Sequence, residues 1–114
     1  MRQAQLIEKA IIHLHERGDL YRQALMAKAE AEHAYKLARS EAFLKAEGTI
    51  KDKEALADLA VKDLHLKYLT ADATAAFAKG SLEDCRAVIS ARQSILSAES
   101  KTNNMQDLHA MKQI

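Results

Sequence analysis

The chain has 114 residues, no proline and only three glycines, and its alanine-, leucine-, lysine- and glutamate-rich composition is that of an all-helical protein. Its 17 basic and 16 acidic residues leave a formal charge of +1, which excludes a global field that would draw in nucleic acid or membrane. Any polyanion binding must then come from local arrangement. The length specifies one small domain, residues 1–114, whose core stays modest unless subunits associate.

Residues 1–17 form the first predicted helix, with Ile7, Ala10, Ile11 and Leu14 as its apolar stripe. Glu8, Lys9 and His13 interrupt that patch, so it is expected to be neither a signal peptide nor a membrane span. With Cys85 as the only cysteine, which rules out an internal disulfide, the expected location is the cytoplasm. Gly18-Asp19 should separate this helix from a long arm over residues 19–47. Gly48 reads as the end of that arm, and Thr49 as the cap of the next helix, with Asp52 three residues on.

A return arm over residues 50–79 completes a helical hairpin. Each arm would extend ~40 Å at ~1.5 Å per residue. Gly80-Ser81 should break or bend the chain, with Ser81 and Asp84 in capping-box spacing. A last helix from Leu82 to about Glu99 follows, then an interruption at Asn103-Asn104, within a C-terminal helical region of residues 81–114. The expected fold is therefore a long alanine-rich antiparallel helical hairpin, coiled-coil in character, with additional N- and C-terminal helices and an oligomeric state.

At ~100° per residue, Leu20, Ala24, Ala27, Ala31, Ala34, Ala38 and Ala42 fall on one seam of the long arm, with Met26, Leu37 and Leu44 beside it. Ala57, Ala60, Leu64, Ala71, Ala75 and Ala78 answer from the return arm, and small residues at this spacing let two backbones approach closely. A second stripe carries Tyr21, Leu25, Lys28, Glu32, Tyr35, Arg39 and Phe43, with Lys36 alongside. A helix with one buried seam should be polar there.

Two readings of this stripe stay open. It packs on another helix or a neighbouring subunit, with Glu32–Lys36 and Glu41–Lys45 as i,i+4 pairs on a solvated face. Alternatively Lys28, Lys36, Arg39 and Lys45 track phosphates while Tyr35 and Phe43 stack on bases of a single strand. Such a platform fits single-stranded DNA and RNA alike.

The order "YKLARSEAFLKAEG", a charged turn, and a long return helix leading to "LEDCRAVISARQSILSAESKTNNMQDLHAM" resembles the UvsY-type recombination mediators of T-even-like phages, over roughly residues 29–111. The resemblance implies a non-enzymatic, ring-like homo-oligomer. It would bind single-stranded DNA and help load a RecA-type recombinase onto strands covered by single-strand binding protein. Lys36 and Arg39 would stand in the place of the family's DNA-contacting basic pair. The C-terminal amphipathic face, with Leu82, Ile89, Leu96, Met105, Leu108 and Met111, would assemble subunits. The chain departs from the family in its small net charge and in having few aromatics near its end.

The alternative is a phage-encoded helical adaptor or inhibitor that docks a host or virion protein and binds no nucleic acid. Catalysis is not expected. No phosphate-binding glycine loop occurs. His13 and His15, two residues apart, point to different helix faces, so neither a metal site nor a cofactor is expected. Cys85, set among Leu82, Val88 and Ile89, reads as a small core residue without an identifiable base.

Overall fold

The computed structural model describes the backbone of residues 2–112 and the side chains of residues 2–106. The protein is all-α: α1 is Arg2–Lys45, α2 is Ile50–Ala60 and α3 is Lys62–Lys112. The chain divides into a central unit, Asp19–Lys79, and a terminal unit made of Met1–Gly18 with Gly80–Ile114.

The hairpin turn forms as its residues dictate. The Ala46 amide donates to the Ala42 and Phe43 carbonyls at 3.1 and 3.3 Å, winding down the last turn of α1. Gly48 then takes φ +117°, a conformation L side chains rarely adopt. A β-carbon there would also stand 3.0 Å from the Asp52 side chain. Thr49 caps α2 with a full capping box: the Asp52 amide donates to Thr49 Oγ1 and the Thr49 amide donates to Asp52 Oδ2, each at 3.2 Å.

Three expected interruptions are absent. α1 runs through Gly18-Asp19, and α3 runs through Gly80-Ser81 and Asn103-Asn104. Gly48 is the only glycine with positive φ among the described residues. A mid-helix glycine costs about 1 kcal/mol relative to alanine, too little to end a helix that is packed on both sides of it. The N-terminal segment is thus the first part of α1, and the Ser81–Asp84 capping box does not form because Ser81 lies inside α3. Thr102 follows the same pattern, its hydroxyl donating back to the Ala98 carbonyl at 3.0 Å.

One interruption was not foreseen. Val61 separates α2 from α3 with φ −113° and ψ 15°. The ladder barely opens, since the Val61 amide still donates to the Ala57 carbonyl at 3.2 Å and the His65 amide to the Val61 carbonyl at 2.8 Å. Burial explains the adjustment. The inward residues Lys53, Ala57 and Val61 are spaced four and four, whereas Val61, Leu64, Tyr68, Ala71, Ala75 and Ala78 alternate three and four. Two four-residue steps carry an ideal helix face roughly 40° too far each, and a local change of winding at Val61 restores the phase.

The seam of α1 in the central unit also differs from the expected one. The residues turned inward are Tyr21, Ala24, Lys28, Ala31, Tyr35, Ala38 and Ala42, while Leu20, Ala27 and Ala34 are exposed. Met26, Leu37 and Leu44, expected beside the seam, are 65, 51 and 80% exposed. The alanine column at 24, 31 and 38 was placed correctly; the neighbouring column that joins it is the larger one at 21, 28 and 35. Alanine against alanine alone would bury little area, and bulky residues leaning over the alanine gaps bury more. The return side is as expected for Ala57, Leu64, Ala71, Ala75 and Ala78, while Ala60 faces out.

In the terminal unit the inward residues are Gln3, Ile7, Ala10 and Leu14 of α1, and Leu82, Cys85, Ile89, Arg92 and Leu96 of α3. Arg92 reaches back to Gln3 Oε1 at 3.5 Å, and Ala10, His13 and Arg17 lie beside Ser81, Asp84, Cys85 and Val88, so the two segments run antiparallel. No helix among the described residues is long and apolar enough to cross a membrane.

These geometries make three substitutions informative in thermal unfolding followed by circular dichroism. Thr49→Ala should cost about 1 kcal/mol by removing the cap. Gly48→Ala should cost about 1–2 kcal/mol through its strained φ. Gly80→Ala should instead stabilise by up to about 1 kcal/mol, since nothing lies within 4 Å of a β-carbon built there.

Candidate functional site

The second stripe of α1 is where sequence reasoning placed function, and most of it turns toward the hairpin. Tyr35 sits inside the central unit, its ring stacked on His65 (centroids 4.7 Å, 20° between planes) and on Tyr68 (5.9 Å, 16°). Near-parallel stacking commits the ring to the hairpin's own His65 and Tyr68. Phe43, half-buried near the turn, has the Lys53 ammonium 5.9 Å from its ring centroid.

The cations are also engaged. Lys28 Nζ pairs with Asp72 Oδ1 at 2.8 Å across the hairpin, and Arg39 Nε donates to Asp58 Oδ1 at 2.8 Å. Lys36 Nζ pairs with Glu32 Oε1 at 2.7 Å within α1, the i,i+4 pair read from the sequence. The hydrogen bonds to Asp72, Glu32 and Asp58 hold Lys28, Lys36 and Arg39 above their ordinary pKa values. The side chains stay partly open, 34% for Lys28, 67% for Lys36 and 37% for Arg39. Their pairs are therefore weak, salt-screened locks that align the arms.

Of the six residues singled out for nucleic acid, Tyr35, Lys28 and Arg39 are thus used by the hairpin and Phe43 is covered in part by Lys53. Lys36 projects outward with its glutamate, and Lys45 is exposed in the last turn of α1. Sequence reasoning missed His65, Tyr68, Asp58 and Asp72, which lie on the return arm at the positions facing the stripe. Reading both arms in antiparallel register would have found them.

The residues expected at an oligomer interface divide likewise. Leu82 and Ile89 are each 8% exposed, already buried against the chain's own α1 segment, and Leu96 is half-buried. Met105 is 71% exposed, and Leu108 and Met111 lie outside the residues whose side chains are described. Beside the inward row of the terminal unit lies an open groove of about 340 Å³, lined by Ala10, His13, Arg17, Asp84, Cys85 and Val88 among others. Cys85 is half-buried at its edge. His13 is drawn to Glu16 at 3.5 Å, and no group of three metal-ligating side chains occurs among the described residues.

The larger feature is what remains open. The buried residues among those described are Ala31, Ala57, Val61, Ala75, Leu82 and Ile89, whereas Ile12, Met26, Leu44, Ile50, Leu59, Leu66 and Phe77 are each more than half exposed. Comparison with known protein families, with curated proteins and with solved structures finds no match.

The packing role of Tyr35 has a direct measure. Tyr35→Ala should lose both stacks and lower stability by about 1–3 kcal/mol in urea unfolding. Lys28→Ala with Arg39→Ala should shift the midpoint less, and the shift should shrink further in 1 M salt. Raising the pH should leave the Lys28 and Lys36 pairs intact below the ordinary lysine value of 10.5 and release them only as the pH climbs through their raised values.

Proposed function

We propose that this protein is a helical interaction module without catalytic chemistry, which acts by presenting open apolar helix faces to other helices. The observation that carries the reading is the imbalance between a thin, alanine-lined interior and large exposed apolar side chains on all three helices, including Ile12, Leu37, Leu59, Leu66 and Phe77. Contiguous exposed apolar faces mark protein interaction sites. This is the adaptor reading of the sequence, and its partner would bind through apolar contact.

A second reading has its own support. Lys45 and Lys51 are exposed on either side of the turn, with Lys53 over Phe43 and Lys36 nine residues back on the opposite side of α1. A basic patch repeated around an oligomer would gain avidity for a single strand without a high charge per chain. That is how a UvsY-like mediator, working with a RecA-type recombinase and single-strand binding protein, would use this fold.

One titration separates the two. The purified chain is added to a fluorescently labelled single-stranded oligonucleotide at low and at physiological salt, with duplex alongside. The interaction-module reading predicts no binding at micromolar protein. Salt-sensitive binding that prefers the single strand, and is lost in Lys36→Ala with Lys45→Ala, would overturn it in favour of the mediator.

A further inference from the structure

The return arm of the central unit has two faces. One, with Val61, Leu64, Tyr68, Ala71 and Ala75, closes the hairpin. The other carries Leu59, Lys62, Leu66, Leu69, Ala73 and Ala76 at spacings of three and four, with Phe77 beside them, and every one of these residues is exposed. Leu59 and Leu66 are 65 and 64% open, and Phe77 is 79% open. A helix that serves one partner should be polar on its far side. This row is a second heptad seam with its partner missing.

We propose that this face binds the same face of a second copy, antiparallel across a two-fold axis at residues 67–68. The proposal rests on the interaction-module reading and names its partner. Reversed about that axis, the row complements itself. Leu66 meets Leu69 of the second copy, Leu59 meets its Ala76, and the Lys62 stem lies over its Ala73 with the ammonium free to reach water.

The edges agree in charge and polarity. On one side Asp58 faces Lys79 of the second copy, and His65 faces its Asp72. On the other, Leu56 faces its Phe77 and Asp63 its Thr70. Between residues 56 and 79 no like-charged pair is produced, and two-fold symmetry makes every favourable pair twice. The carboxylates are available for this. Beside Arg39 and Lys28, the Asp58 and Asp72 side chains stay 61 and 50% exposed.

The test is light scattering coupled to size exclusion on the full chain over a micromolar concentration series, with Leu66→Glu and Leu69→Glu as variants. Both positions are exposed in the single chain, so helicity by circular dichroism should be unchanged. The expected result is a dimer whose dissociation constant rises at least tenfold in each variant. In a Cys85→Ser background, Asp63→Cys with Thr70→Cys should give a covalent dimer on mild oxidation. A wild-type chain that stays monomeric throughout, or an assembly unaffected by both glutamates, would overturn the proposal. Failure of the interaction-module reading shows instead in the oligonucleotide titration, so the two are told apart.

Discussion

Everything in this fold depends on one steric condition, the column of alanines at 24, 31 and 38, which lies across the central unit from Ala75 and Ala78, from Ala71, and from Val61 and Leu64 in turn. A methyl group at these positions lets the backbones come close enough for Tyr35 to reach His65 and Tyr68, and for Lys28 and Arg39 to reach Asp72 and Asp58. The stacks and ion pairs are consequences of that approach. Bulkier residues in the column would hold the arms apart and leave the tyrosine and the carboxylates out of reach.

The same condition limits what the hairpin can bury. Alanine removes little apolar area from water, so a seam built on it contributes modestly for its length. Ala57, with no exposed surface, is the most deeply buried of the described residues, and none of the larger side chains among them is fully enclosed. Surface ion pairs add little. A small helical unit with so thin a core gains most from covering its remaining apolar faces. The exposed leucines and Phe77 therefore bear on stability as well as on recognition.

The helical class, the hairpin and its turn were legible because they rest on local chemistry. Gly48, Thr49 and Asp52 specify a stop and a start within five residues, and no distant contact is needed to read them. Gly18 and Gly80 misled because a local preference of about 1 kcal/mol is easily overridden by packing along a continuous helix, whereas α3 runs through Asn103-Asn104 with every described residue after Leu96 exposed. The Val61 adjustment has no local signal at all. It follows from the burial phase on either side, which appears only when both arms are aligned. The α1 stripe was half legible: the alanine column was clear, but whether the column at 20, 27 and 34 or the one at 21, 28 and 35 joins it depends on what the return arm offers. His65, Tyr68 and Asp72 decide that choice, and they come thirty or more residues later in the chain.

That choice of seam is also the most direct point of attack. Ala31 and Ala34 are one helical turn apart and chemically identical, yet Ala31 is 8% exposed and Ala34 lies on the open side. Urea unfolding of Ala31→Leu and Ala34→Leu, followed by far-ultraviolet circular dichroism, tests the account. Overpacking at Ala31 should lower stability by about 1–3 kcal/mol, while leucine at Ala34 should change it by less than about 0.5 kcal/mol. The reverse order, with Ala34→Leu the damaging change, would place the closed seam on the other column and contradict the structure described.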